Sequence, residues 1–228
     1  MHQGRIIIIT GSPGTGKTTI ASIVAHESDF AKSVHMHTDD FYHYLSKGAI
    51  PPHLPESQEQ NLVVVEAFLE AAKRYAHGGY DVIVDGIIGP WFLAPWMKIV
   101  QEGYEVHYIV LRADKEETMK RAIERTKLSK EANIELVEVM WEQFAKIGDY
   151  ESFVINTTDY SIGETVSIIK EHIKGKSIYL HYKREYHRES PLLCVELIFQ
   201  SYFPSATSPT SLSVWRCFIS SKGCRLSA

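Results

Sequence analysis

The sequence has few cysteines, no long apolar run and no excess of positive charge. The three cysteines (Cys194, Cys217 and Cys224) are irregularly spaced without an accompanying histidine pattern, which favours free thiols over a disulfide framework or a zinc site. Apolar runs such as residues 6–9 have the length of a strand, well short of the roughly 20 residues of a membrane span. The net charge of −4 predicts no bulk attraction to nucleic acid or anionic membrane. We therefore expect a cytoplasmic protein without nucleic-acid or membrane partners.

The distribution of charge divides the chain near residue 175. Residues 1–175 contain 17 basic and 25 acidic side chains, a net charge of −8. Residues 176–228 contain seven basic and three acidic side chains, a net charge of +4, together with all the cysteines. We predict one globular domain over residues 1–175 and an atypical, poorly ordered C-terminal extension over residues 176–228.

Apolar strands alternate with helical segments throughout the predicted domain. Strands are expected near residues 5–10, 33–38, 81–86, 105–111 and 152–156. A long helix is expected over residues 56–77, and its buried stripe is expected to contain Leu62, Val65, Phe68, Leu69 and Ala72. This alternation predicts an α/β fold, a three-layer doubly wound sandwich around a five-stranded parallel sheet. Ligands of such sheets bind beyond the carboxyl ends of the strands.

A glycine-rich octapeptide follows the first predicted strand and matches the pattern G-x-x-x-x-G-K-[ST]. It reads Gly11-Ser12-Pro13-Gly14-Thr15-Gly16-Lys17-Thr18. The glycines allow successive backbone N–H groups to point at an anion, and a helix N-terminus follows. Lys17 supplies positive charge for the β- and γ-phosphates, and Thr18 supplies a hydroxyl for Mg²⁺. The segment therefore predicts a nucleotide phosphate site.

Acidic residues end two of the predicted strands. Asp39 and Asp40 follow the second strand, where a carboxylate near the γ-phosphate would accept the proton of an attacking hydroxyl or hold that hydroxyl in line. Asp85 ends the third strand, a position suited to orienting the ligands of Mg²⁺. The other interpretations are an exposed acidic turn for the first pair and a turn-capping role for Asp85.

Two arginines and two histidines are further candidates. Arg121 and Arg125 lie one helical turn apart and would close over a triphosphate as part of a short lid near residues 121–131; the alternative is a solvated helix face. His35 and His37 share one face of a strand. No cysteine or well-spaced acid completes a ligand set, so no zinc site is expected there. Five aromatic residues near predicted strand ends indicate either core packing or an acceptor pocket: Tyr42, Tyr44, Trp91, Phe92 and Trp96.

These residues together resemble the small P-loop kinases, the group that includes chloramphenicol phosphotransferase, gluconate and shikimate kinases and the polynucleotide 5′-kinase domain. The resemblance covers residues 4–174 and depends on the glycine-rich loop, the lid arginines and two short segments, Thr38-Asp39-Asp40-Phe41 and Val84-Asp85-Gly86. It implies a nucleoside-monophosphate-kinase-like P-loop NTPase fold, with ATP and Mg²⁺ as cofactors. Polynucleotide kinases have an arginine at the position of Tyr42, which argues against a polynucleotide acceptor.

The resemblance also implies roles for individual residues. Asp39 corresponds to the general base, Arg121 and Arg125 to residues that contact adenine and phosphates, and residues 156–158 to the loop that passes the adenine. The expected catalytic residues are Lys17, Asp39 and Arg125, and the expected metal ligands are Thr18 and Asp85. The expected nucleotide-binding residues are Gly11, Ser12, Pro13, Gly14, Thr15, Gly16, Lys17, Thr18, Thr19 and Arg121.

The expected activity is ATP-dependent transfer of phosphate to a hydroxyl group of a small molecule. A nucleotide-binding switch, or a slow NTPase without a small-molecule acceptor, is the alternative. We expect a monomer or a homodimer. The sequence identifies neither the acceptor nor the preference for ATP over GTP.

Overall fold

A five-stranded parallel sheet forms the centre of the computed structural model, which describes residues 4–52, 54–124 and 130–180. Its strands are β1 (Arg5–Thr10), β2 (Ser33–His37), β3 (Asp81–Asp85), β4 (Glu105–Arg112) and β5 (Val154–Asn156). They lie in the order β2-β3-β1-β4-β5, and all four pairings are parallel. The isoleucines of β1 are fully buried because a central parallel strand is covered on both faces.

Helices cover both faces of this sheet. They are α1 (Lys17–His26), α2 (Thr38–His43), α3 (Gln58–His77), α4 (Ala94–Gln101), α5 (Lys115–Glu124), α6 (Lys130–Ala145) and α7 (Ile162–Gly175). Apolar residues of α1 and α7 pack on one face, and those of α3 and α4 pack on the other. This arrangement confirms the predicted three-layer α/β fold. None of the described helices is long and apolar enough to cross a membrane.

Two local details differ from the sequence prediction. Strand β2 ends at His37, and Asp39 and Asp40 lie in the first turn of α2 instead of at the end of a strand. Acidic side chains suit that position because the first turn of a helix carries partial positive charge. In α3, Phe68, Leu69 and Ala72 of the predicted stripe are buried, whereas Leu62 is 51% exposed and Val64 is buried. The predicted stripe is therefore confirmed over most of its length and wrong at Leu62, where packing against the sheet buries Val64 instead.

The packed chain continues beyond Gly175. The backbone N–H of Tyr108 donates to the carbonyl of Ile178, and the N–H of Leu180 donates to the carbonyl of Val106. Ile178 and Leu180 are both buried, so they extend the core beside the first half of β4. The domain boundary at residue 175 stays a prediction, and most of the predicted extension, residues 181–228, lies outside the described residues.

Candidate active site

The glycine-rich loop connects β1 to α1 and has a backbone that requires glycine. Gly11, Gly14 and Gly16 have φ values of 141°, 91° and 83°, which residues with side chains rarely adopt. A Cβ atom on Gly11 would lie 2.1 Å from the carbonyl oxygen of Leu111, and one on Gly14 would lie 2.7 Å from that of Thr118. The loop is therefore packed tightly against the carboxyl end of β4 and against α5.

Polar groups inside this loop fit a polyphosphate. Lys17 is buried, with 8% of its surface exposed. Its ammonium donates to the carbonyl of Ser12 at 3.0 Å. The hydroxyl of Thr15 donates to the same carbonyl at 2.9 Å. The hydroxyl of Ser12 is buried without a hydrogen-bond partner among the described residues. A buried cation, an unpartnered hydroxyl and a helix N-terminus around a glycine turn form a cradle for an anion.

Asp85, at the carboxyl end of β3, is fully buried and in contact with three side chains. The hydroxyl of Thr18 donates to its Oδ2 at 2.6 Å, and Nε2 of His35 lies 2.6 Å from its Oδ1. Nδ1 of His37 lies 3.0 Å from Oδ2, close enough for an ion pair although not aligned as a hydrogen bond. Gly86, the residue after Asp85, allows Thr38 to lie close to its backbone, because a Cβ there would lie 2.0 Å from the hydroxyl of Thr38.

The second ring nitrogen of His37 faces Asp39. Its Nε2 lies 3.3 Å from Oδ2 of Asp39, whose side chain is 61% exposed. Carboxylates only accept hydrogen bonds, so contacts with two of them favour a ring protonated at both nitrogens. The contacts with Asp39 and then with Asp85 raise the pKa of His37 to about 10.

Both carboxylates respond to the same imidazole. The contact with His37 lowers the pKa of Asp39, and the charge of Lys17 lowers it further. Burial alone would raise the pKa of Asp85, but the contacts with His35, His37 and Thr18 outweigh burial and hold it well below the ordinary value. Both groups are therefore carboxylates at neutral pH.

Thr18 and Asp85 together fit a magnesium site. The hydroxyl of Thr18 donates a hydrogen bond to Asp85, and its oxygen keeps lone pairs that can bind a cation. Mg²⁺ is typically held by one or two protein oxygens together with water and phosphate oxygens, and this pair meets that requirement. Within the described part of the chain, no group of three or more histidine, cysteine or acidic side chains has the geometry of a metal site.

Arg121 contacts the loop after β5. Its Nη2 lies 3.3 Å from the carbonyl oxygen of Thr157 and 3.4 Å from that of Thr158, while its Nε donates to Glu117 at 2.7 Å. The structure thus brings together two parts of the predicted adenine site. Arg125 and residues 126–129 of the predicted lid lie outside the described residues, so their roles stay predictions.

The structure gives His35 and His37 a position that sequence reasoning missed. The sequence pattern indicates no acid that would accompany them, yet Asp85 lies directly across the strand pair, in register with His37. The sequence signal that could have indicated this contact was the i, i+2 spacing of the two histidines, together with the acidic residues predicted at the ends of the second and third strands. The aromatic residues do not form a single cluster, since Trp96 is 1% exposed in the core and Tyr44 is 72% exposed.

Comparison with known sequences identifies the family of the chain. A family described as an AAA domain matches residues 7–140, more than half of the chain, including the whole glycine-rich loop. The chain belongs to this family. No curated protein shows significant similarity to the chain.

Several solved structures share the fold of this AAA-domain chain. The APS kinase of Mycobacterium tuberculosis, solved with AMPPNP and APS, has a TM-score of 0.59 at 16% identity, covering 76% of this chain and 99% of its own. A tunicamycin resistance protein of Deinococcus radiodurans has a TM-score of 0.54 at 20% identity, covering 75% and 96%. A sugar kinase of Janibacter has a TM-score of 0.54 at 17% identity, covering 78% and 99%. The fold of the chain is that of P-loop kinases.

Proposed function

We propose that the protein is a Mg·ATP-dependent kinase that transfers the γ-phosphoryl group to a hydroxyl of a small molecule. Its motifs resemble those of the small P-loop kinases, which is the group the proposal assigns it to. One observation supports it above the others: Asp39 and Asp85 are joined through His37 beside the glycine-rich loop. Lys17 is near enough for its charge to lower the pKa of Asp39. Phosphate, metal and acceptor groups are thereby assigned to one edge of the sheet.

The residues of the loop bind and orient the nucleotide in this proposal. The backbone N–H groups of residues 11–18 hold the phosphates, and Lys17 neutralises charge on their outer oxygens. Thr18 and Asp85 hold Mg²⁺, which when bound compensates the negative charge that develops during transfer. Arg121 adjoins the base through its position beside Thr157 and Thr158.

Asp39 acts on the acceptor. Its carboxylate accepts a hydrogen bond from the attacking hydroxyl and holds the oxygen in line with the γ-phosphorus. The new bond joins that oxygen to phosphorus, the bond to the β,γ-bridging oxygen breaks, and ADP leaves. The lowered pKa of Asp39 makes it a weak base, so it contributes mainly by orientation and receives the proton late in the transfer.

A ligand screen followed by a transfer assay identifies the acceptor. A thermal-shift screen of hydroxyl compounds in the presence of AMPPNP and Mg²⁺ selects ligands of the folded protein, because a bound ligand raises apparent stability by mass action. Candidates are then incubated with ATP labelled at the γ-phosphate. We expect labelled product, and a loss of about 100-fold in its rate in Asp39→Asn. Full transfer by that variant, or no transfer to any compound that stabilises the protein, would contradict the proposal.

A further inference from the structure

His37 and His35 lie on the same face of β2 but have different sets of partners. The register of β2 and β3 places His37 opposite Asp85 and His35 opposite Ile83. Both histidines contact Asp85, at 3.0 Å and 2.6 Å respectively. Only His37 also contacts Asp39, through its second ring nitrogen. His35 is therefore a suitable control for His37, because the two histidines differ in the contact with Asp39.

Asp85 has enough partners to stay in place without His37. His35 contacts its Oδ1, and Thr18 donates to its Oδ2, each at 2.6 Å. The carboxylate is also fully buried, and it lies at the carboxyl end of β3, an inner strand of the sheet. Loss of the His37 imidazole would therefore leave the orientation of Asp85 largely unchanged.

Asp39 is held much less firmly. Its side chain is 61% exposed and belongs to α2, a helix of six residues that contains no buried residue. Exposed carboxylates at such positions rotate among several rotamers unless a partner fixes them. The imidazole of His37 supplies that partner at 3.3 Å, and its own ring is anchored on the buried Asp85.

We propose that His37 is a positioning residue of phosphoryl transfer, which fixes the Asp39 carboxylate by bridging it to Asp85. This inference rests on the proposed function, because it takes Asp39 as the group that orients the attacking oxygen. His37 itself touches neither the acceptor nor the phosphates in this account. Its removal should slow turnover without weakening nucleotide binding, because Asp85 keeps Thr18 and His35 as partners and Asp39 is not part of the loop that holds the nucleotide.

A double-mutant cycle tests the bridge with water as the attacking hydroxyl, so that no acceptor is needed. The turnover of Mg·ATP hydrolysis and the Kd of Mg·AMPPNP are measured for His37→Phe, Asp39→Asn and the double variant. We expect His37→Phe to lower turnover about 10- to 100-fold, with Kd changed less than about threefold. In the Asp39→Asn background, the same substitution should lower turnover less than about threefold.

Two further variants keep the test sharp. His37→Gln retains an amide that can reach one carboxylate, so we expect an intermediate loss of turnover; it also covers the case in which the phenylalanine variant fails to fold. His35→Phe removes a contact to Asp85 alone, so its effect on turnover should add to that of Asp39→Asn. Additive losses for His37→Phe and Asp39→Asn, or an equal loss in Kd, would overturn the bridging role. Wild-type protein that fails to bind Mg·AMPPNP would overturn the proposed function and the bridge together.

Discussion

The two ends of β3 each carry a buried aspartate, and their partners are of opposite kinds. Asp81, at the amino end, pairs with the guanidinium of Arg5 through two hydrogen bonds of 2.9 Å and also accepts from the hydroxyl of Ser28. Asp85, at the carboxyl end, is in contact with two imidazoles and the hydroxyl of Thr18. Both carboxylates are fully buried.

This difference separates a structural carboxylate from a functional one. A guanidinium keeps its charge at any ordinary pH and holds a carboxylate in a fixed fork geometry. An imidazole carries a charge only when it is protonated, and a hydroxyl can contact a carboxylate and a cation at once. Burial alone therefore does not distinguish Asp81 from Asp85, whereas the chemistry of their partners does.

The largest expected effect is on stability at the amino end. Arg5→Met would leave Asp81 buried without its cation, and we expect a loss of about 3–5 kcal/mol in the free energy of unfolding. Urea denaturation followed by circular dichroism measures this loss, and the Kd of Mg·AMPPNP should stay within about twofold. Asp29 is 74% exposed and also pairs with Arg5, so Asp29→Asn is the matched control, with an expected loss under about 1 kcal/mol. Equal losses in the two variants would contradict the structural role of Asp81.

The next effect is on activity at the carboxyl end. Asp85→Asn keeps a side chain that hydrogen-bonds with Thr18 but removes the charge that attracts a cation. We expect Mg·ATP hydrolysis to fall about 100-fold, equivalent to about 2.7 kcal/mol. Asp81→Asn is the control: its folded fraction should hydrolyse ATP at the wild-type rate. If the Asp85→Asn variant hydrolysed Mg·ATP within threefold of the wild-type rate, the functional role of Asp85 would be contradicted.

A smaller effect concerns alkaline pH. The pKa of His37 rises from about 6.5 in the unfolded chain to about 10 in the fold. The imidazolium contacts therefore contribute their full stability below pH 6.5 and lose it progressively as the pH rises toward 10. Because His37 is partly exposed, we expect a loss of about 1–2 kcal/mol in the nucleotide-free protein. His37→Gln should flatten this part of the pH profile measured by urea denaturation, and an unchanged slope would count against the ion pairs.

The smallest effect has the opposite sign and lies at the amino end. Burial lowers the pKa of His107, and the nearby Glu105 opposes that shift. The unfolded chain therefore binds a proton more readily, and stability should fall as the pH drops below 6.5, by less than about 1 kcal/mol. His107→Gln should remove this acid-side decline while leaving the alkaline decline in place. A variant that changes the alkaline side would contradict the assignment of the two histidines to separate regions.

The sequence was sufficient to predict the fold and the glycine-rich turn between β1 and α1, because both depend on local signals. A run of isoleucines predicts a buried strand, and the spacing of Gly11 to Thr18 predicts a glycine-rich turn. Neither prediction depends on knowing which strands lie beside β1. The helical position of Asp39 was missed because strand and helix meet at Thr38 without a turn residue between them. Leu62 was wrongly placed on the buried stripe of α3, because tertiary packing decides which residue of the first turns is buried.

The histidine network could not be predicted for a different reason. His35 and Asp85 are 50 residues apart, and they meet because β2 pairs with β3 at one edge of the sheet. The sequence pattern gives the number of strands but not their order. Contacts between side chains of neighbouring strands therefore require the register, which only the structure supplies.

The contribution of Mg²⁺ to nucleotide affinity tests the central claim most directly. The Kd of AMPPNP is measured by calorimetry with Mg²⁺ and with EDTA for wild type, Asp85→Asn and Asp81→Asn. We expect Mg²⁺ to tighten binding at least about tenfold in wild type and Asp81→Asn, and to have little effect in Asp85→Asn. The same gain from Mg²⁺ in all three proteins would contradict the account, because Asp85 would then be no more involved with the metal than Asp81.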